Sequence, residues 1–163
     1  MINHVEQLLA RLPVEEAGRV LIPYAANGWL IREYKRAGGE YLYVTAVEQD
    51  AQYTERLWRM PLFFRLQVDF LQVEPTPDFD LVIMATEDEE LGFSQIVHGF
   101  HFLKPGGWLG ALLSIQKMAD HQFTSWVMAI GTVHHIVTVD GFYPYAVMIT
   151  LRKPNEEEIE DVR

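Results

Sequence analysis

Val20-Leu21-Ile22-Pro23-Tyr24-Ala25-Ala26-Asn27-Gly28-Trp29-Leu30 begins the stretch that decides the fold, and Tyr41-Leu42-Tyr43-Val44-Thr45-Ala46-Val47-Glu48-Gln49-Asp50 ends it. Val20 to Pro23 is a short apolar run of the kind a buried strand needs. Leu30, Ile31, Tyr34 and Ala37 repeat at helical spacing, and Gly38-Gly39 stops the helix. Tyr41 to Val47 is aromatic and β-branched, which predicts a second strand. The order is strand, tight turn, helix, strand, with an acidic residue closing the second strand. That is half of a nucleotide-binding α/β unit. A glycine-bearing turn lets a ligand approach backbone N–H groups, and a carboxylate after the next strand can accept hydrogen bonds from ribose hydroxyls. The turn carries one glycine, Gly28, where such turns usually carry two or three.

Outward from this stretch the alternation continues. Val5, Leu8, Leu9 and Leu12 predict an amphipathic helix from Asn3 to Leu12, with Asn3 as cap and Pro13 as exit. Asp50 is placed to cap a helix carrying Tyr53 and Leu57. Arg65 to Val68 reads as a third strand, and Glu74-Pro75-Thr76-Pro77-Asp78 as a loop. Phe79 to Ala85 is apolar apart from Asp80, as expected for a central parallel strand buried on both faces. Phe93, Ile96, Val97, Phe100 and Leu103 form a helical stripe. Lys104-Pro105-Gly106-Gly107 reads as a turn into a strand from Trp108 to Leu113. Asp120 is placed to cap a helix bearing Phe123, Trp126, Val127 and Ile130, ended by Gly131. Val133 to Val139 and Tyr145 to Leu151 close the chain as an antiparallel pair, with Asp140-Gly141 as a turn signal between them. The expected architecture is α/β: one three-layer domain over residues 1–154 with a mainly parallel seven-stranded sheet, and an acidic tail over 155–163.

Composition narrows the function classes. The 163 residues are 49% hydrophobic and 22% charged, ordinary for a folded globular chain. There is no cysteine, hence no disulfide framework, thiolate metal site or thiol nucleophile. Thirteen Lys and Arg stand against 23 Asp and Glu, a formal charge of −10, part of it in the solvated tail from Asn155 to Asp161. No basic stripe is present, so direct nucleic-acid binding is not expected. The N-terminal residues lack the basic start and unbroken apolar run of a signal peptide, and no run reaches the ~20 apolar residues of a membrane span. A cytoplasmic location is the expectation.

In order and spacing, five motifs resemble those of the Rossmann-like, class I S-adenosylmethionine-dependent methyltransferases, nearest the nucleic-acid amino-methyltransferases. They are Val20 to Leu30, the strand end Val44 to Asp50, Val68-Asp69-Phe70-Leu71, Phe79 to Met84, and Phe102 to Leu109. The resemblance covers Arg19 to Lys153 and implies that S-adenosylmethionine is the cofactor. It implies that Pro23, Tyr24, Ala25, Ala26 and Gly28 line the methionine side. Glu48, with Gln49 beside it, would bind the ribose; Asp69 and Phe70 would flank the adenine, and Ala85 would border the site.

The chain departs from that pattern at three points. Ile22 stands where the family carries an acidic residue that steers the methionine end. Ala26 replaces the first loop glycine, where a Cβ restricts positive φ. Ala85-Thr86-Glu87-Asp88 replaces the Asn/Asp-Pro-Pro-aromatic motif that clamps an amine. Glu87 and Asp88 are candidate general bases for another acceptor; their alternative role is to cap the following helix. A second reading is a catalytically inactive binding or regulatory subunit. A protein partner or a homodimer is compatible with either, and a nucleic-acid substrate would require a partner subunit. A Rossmann-type oxidoreductase would need the fuller glycine fingerprint.

Other residues have structural readings. His98 and His101 are three apart on a helix, but no third ligand is evident, so no metal site is expected. His134 and His135 alternate on a strand and point to opposite faces. Ser114 lacks the Gly-x-Ser-x-Gly context of a hydrolase nucleophile. Trp29, Trp58, Trp108 and Trp126 have no interleaved basic residues and read as core or rim.

Overall fold

The computed structural model describes residues 4–86, 92–113, 125–127, 129–130, 133–138 and 147–160, with the backbone alone at 93, 133–135, 137–138 and 159–160. Helix α1 (His4–Ala10) precedes β1 (Val20–Pro23), α2 (Trp29–Arg36), β2 (Val44–Val47), α3 (Ala51–Trp58), β3 (Phe64–Leu66), β4 (Phe79–Ala85), α4 (Gly92–Phe100), β5 (Leu103–Leu113), β6 (Val133–Thr138), β7 (Val147–Arg152) and α5 (Glu156–Glu160). The seven strands form one sheet in the order β3-β2-β1-β4-β5-β7-β6. The first five in that order are parallel to one another; β7 runs antiparallel to both β5 and β6.

The two-residue period of the central strands separates two cores. Val20 and Ile22 of β1, with Leu81 and Ile83 of β4, face α1, α2 and α3 and pack with Leu8, Leu30, Ile31 and Leu57. Leu21, Val82 and Met84 face the other way, towards Ile96 and Phe100 of α4 and Phe70, Phe102 and Val127. Burial on both faces is why β1 and β4 are continuous apolar runs. Gly110 on β5 admits the first helix closely: a Cβ there would lie 2.5 Å from Leu12 Cδ1.

Several predicted boundaries shift. Tyr41–Tyr43 is a 3-10 turn, because β2 can pair only where β1 runs beside it, from Val20 opposite Val44. The third strand is Phe64–Leu66, fixed by pairing with Thr45 to Val47. Asp50 caps α3 as expected, accepting from the Gln52 N–H at 3.0 Å. Leu103 belongs to β5 and not to the preceding helical stripe. Lys104 to Gly107 is absorbed into the same strand as an irregularity, with a register shift opposite Phe79 to Leu81 and Gly106 at φ 82°. The Gly106 N–H donates to the Lys153 carbonyl and the Lys153 N–H to the Gly107 carbonyl, which extends the β5–β7 ladder through the glycines. No α-helix joins β3 to β4, only a 3-10 turn at Phe70–Gln72 and the two-proline loop. The tail is not simply a solvated end: Asn155 Oδ1 accepts from the Glu158 N–H, and Arg152 pairs with Glu158 at 2.6 Å to hold α5. The predicted cap Asn3, the span from Asp120 through Phe123, Gly131, the Asp140-Gly141 turn and Ser114 lie outside the described residues.

Asp80 joins the amino ends of the central strands. Its Oδ2 accepts from the Gly18 and Arg19 N–H groups at 3.0 Å each, and its Oδ1 is 3.4 Å from Lys104 Nζ. Among the described residues no helix is long and apolar enough to cross a membrane.

Candidate cofactor site at the carboxyl edge

Parallel pairing brings the carboxyl ends of β3, β2, β1 and β4 to one edge of the sheet. Between β2 and β4, the chain leaving β1 turns sharply into α2. Tyr24 (φ 55°), Ala26 (φ 48°) and Gly28 (φ 86°) all lie in the left-handed region. Ala26 therefore adopts the conformation that its Cβ disfavours. At Gly28 a side chain is barred twice, by the positive φ and by Met60 Sδ, which would lie 2.9 Å from a Cβ.

The loop is held by its own hydrogen bonds. The Ala25 N–H donates to the Val47 carbonyl at 3.2 Å, and the Gly28 N–H to the Ala25 carbonyl at 2.8 Å. Asn27 Oδ1 accepts from the Trp29 N–H at the start of α2, and Arg32 Nη1 donates to the Asn27 carbonyl. Glu48, half-buried just past β2, ties this loop to the next turn. Its Oε1 accepts from the Ala26 N–H at 2.7 Å and its Oε2 from the Asp50 N–H at 2.9 Å. Gln49 is exposed beside it.

Asp69 is half-buried past β3. Its Oδ1 accepts from the Leu71 N–H at 3.1 Å and caps the 3-10 turn. The Phe70 ring is committed to the core: it lies 5.7 Å from Tyr24, 4.8 Å from His98 and 5.3 Å from Phe102, ring centre to ring centre. The ring is therefore not free to stack on a ligand. Tyr24 touches Phe70 edge-on, so the turns after β1 and β3 are packed together.

Ala85 ends β4 half-buried. The next residue, Thr86, is buried; its N–H donates to the Leu112 carbonyl and its hydroxyl to Gln95 Oε1 of α4. Gln95 was not signalled by the sequence: it lies between the stripe residues Phe93 and Ile96 and belongs to no motif. Glu87 and Asp88 lie outside the described residues. Ile22 is fully buried in the first core, so nothing acidic stands at that position.

Glu48 and Asp69 keep hydrogen-bond acceptor positions beyond those their backbone partners use. An ionised carboxylate has about four acceptor positions. Glu48 uses one on each oxygen, which leaves two. Asp69 keeps Oδ2 beyond the bond made by Oδ1. Opposite a cationic amino group, by contrast, Ile22 supplies no charge. Among the described residues no group of three or more His, Asp or Glu could hold a metal ion; the His98 ring packs against Phe70 and Phe102, and His101 is exposed. Trp29 and Trp108 pack on the first core and Trp126 on the second, while Trp58 stands exposed.

No family model and no curated protein matches the chain. Solved structures do. An S-adenosylmethionine-dependent O-methyltransferase from Thermotoga maritima superposes with a TM-score of 0.69 at 16% identity, over 93% of this chain and 64% of that one. The O-methyltransferase TomG from Streptomyces achromogenes, solved with S-adenosylmethionine, gives 0.69 at 13% identity, over 95% and 82%. A 16S rRNA methyltransferase of T. thermophilus gives 0.63 at 21% identity, over 94% and 40%. The fold is that of the class I S-adenosylmethionine-dependent methyltransferases.

Proposed function

We propose that the chain binds S-adenosylmethionine at the carboxyl edge, chiefly through its adenosyl half, and acts as a methyltransferase on an acceptor still to be identified. The observation that carries this reading is Glu48, whose carboxylate is fixed by the Ala26 and Asp50 N–H groups with acceptor positions to spare. Glu48 holds the ribose hydroxyls, with Gln49 at the rim. Asp69 and the Phe70 backbone hold the adenine. The backbone from Pro23 to Gly28 lines the methionine side, and Ala85 borders the acceptor side. When bound, the cofactor supplies a methyl group on a sulfonium, open to in-line displacement. The protein's part is then mainly positioning and exclusion of water. The Thr86–Gln95 hydrogen bond fixes the end of β4, and Glu87 or Asp88 takes a proton where the acceptor must lose one. The missing amine clamp at Ala85 to Asp88 speaks against base amines as the acceptor, and with a charge of −10 any nucleic-acid substrate requires a basic partner subunit.

The buried Ile22 favours a second reading, a binding or regulatory subunit without turnover. Calorimetric titration of S-adenosylmethionine, its demethylated product and adenosine separates the two. Saturable binding of all three, lost in Glu48→Ala, supports the cofactor site. Binding without turnover on any acceptor points to a sensor or a partner-dependent enzyme, and no binding by the wild type removes the cofactor and the activity and leaves the inactive binding or regulatory subunit.

A further inference from the structure

The opposite edge of the sheet carries a concave site. The connection from β3 to β4 contains no α-helix, and Pro75 and Pro77 prevent one. The sheet face at the amino ends of β1, β2 and β3 is therefore left without a helical cover, which parallel strands ordinarily have. A cleft of about 170 Å³ lies there, walled by Arg19, Phe63, Phe64, Leu66, Phe79 and Phe102. Phe63 is 62% and Phe64 53% exposed, unusual for side chains of this size.

Arg19 gives the cleft its chemistry. Its guanidinium carbon stands 4.8 Å from the centre of the Phe79 ring and 5.6 Å from that of Phe63. The rings hold it without neutralising it. Its Nε is buried and has no acceptor, and no carboxylate pairs with it among the described residues. The nearby Asp80 is engaged by the Gly18 and Arg19 backbone N–H groups and by Lys104. An unpaired guanidinium forks naturally onto a carboxylate. Exposed Glu74 also lines the cleft, and its charge opposes a dianion such as phosphate about twice as strongly as a monocarboxylate. An apolar cavity of about 150 Å³ accepts benzene, so this volume suits one six-membered ring with a short substituent.

We propose that this cleft binds a small monocarboxylate bearing a single aromatic ring, with the carboxylate on Arg19 and the ring among Phe63, Phe64, Phe79 and Phe102. The site is separate from the proposed cofactor site and does not depend on it.

Phenylacetate and benzoate are the probes, titrated into the full chain by amide NMR and calorimetry, with benzyl alcohol and inorganic phosphate as controls. Expected is saturable binding with a Kd of about millimolar or tighter, with shifts confined to Arg19, Phe63 to Leu66 and Val73 to Phe79. Arg19→Gln should weaken it roughly tenfold or more. Phe64→Ala, at a half-exposed ring and with an unchanged amide spectrum away from β3 as its folding control, should weaken it severalfold. The proposal is overturned by absence of saturation up to about 20 mM carboxylate, by benzyl alcohol or phosphate binding as tightly as phenylacetate, or by unchanged affinity in both variants.

Discussion

Ala26→Gly should make the protein more stable. Ala26 stands at φ 48°, where an L-residue pays roughly 1–2 kcal/mol relative to the right-handed region. Glycine removes that cost but widens the unfolded ensemble by about 0.5–1 kcal/mol. The methyl group is half-buried and belongs to neither core cluster, so little packing is lost. The Ala26 N–H bond to Glu48 is unaffected by the change. The net gain lies between about 0 and 1.5 kcal/mol, with a midpoint near 0.75 kcal/mol, or roughly 2–3 °C in Tm for a domain of this size. Urea unfolding with an unchanged m-value measures it. Ala25→Gly is the control: Ala25 is fully buried and has no positive φ, so it should lose about 1 kcal/mol or more. If Ala26→Gly destabilises the chain as Ala25→Gly does, residue 26 is not strained and the account of the loop is wrong.

Two further outcomes concern the scaffold. Gly39→Ala should cost about 3 kcal/mol by chemical denaturation, since a Cβ there would lie 2.2 Å from Cζ of the buried Tyr34 ring; a loss below about 0.5 kcal/mol would show that Tyr34 can move aside. His101 has a pKa below the usual 6.5, first through desolvation, then through Lys153 and His98. The unfolded chain therefore binds the proton more readily, so this contribution is complete above pH 6.5 and is lost as pH falls through the lowered value. Tm measured from about pH 7.5 to 5 should fall less steeply in His101→Gln than in wild type, and parallel curves would exclude the effect.

Strands β1 and β4 were legible in the sequence to the residue because burial on both faces makes each a continuous apolar run, bounded by Arg19 and Pro23 in one case and by Asp78 and Thr86 in the other. Lys104-Pro105-Gly106-Gly107 carried every local sign of a turn. Its pairing with Lys153, far along the chain, overrode those signs, and no local pattern announces such a partner. Tyr41 to Tyr43 failed in the reverse sense: the residues suit a strand, but no neighbouring strand reaches them. At the site, Glu48 was readable as an acid following a strand. Asp69 was readable too, although the structure shows it capping a turn as well. The Thr86–Gln95 pair was invisible, because it exists only once α4 lies against β4. Phe70 was legible as important, while the inward direction of its ring depended on Tyr24, His98 and Phe102 arriving from three other segments.

The position of β7 has a consequence for how the molecule is made. It follows β6 in the chain, and so leaves the ribosome after it, yet it lies inside the sheet, between β5 and β6. Until β7 arrives, neither of those strands has its neighbour, and β5 presents a long apolar edge able to pair with another chain. A nascent chain that has not yet delivered Val147 to Arg152 is thus marked by an open sheet, a form that chaperones and proteases can distinguish from the folded product. Closing that gap couples residues made late to strands laid down much earlier, so the hazard lasts for as long as synthesis takes to cross from β5 to β7.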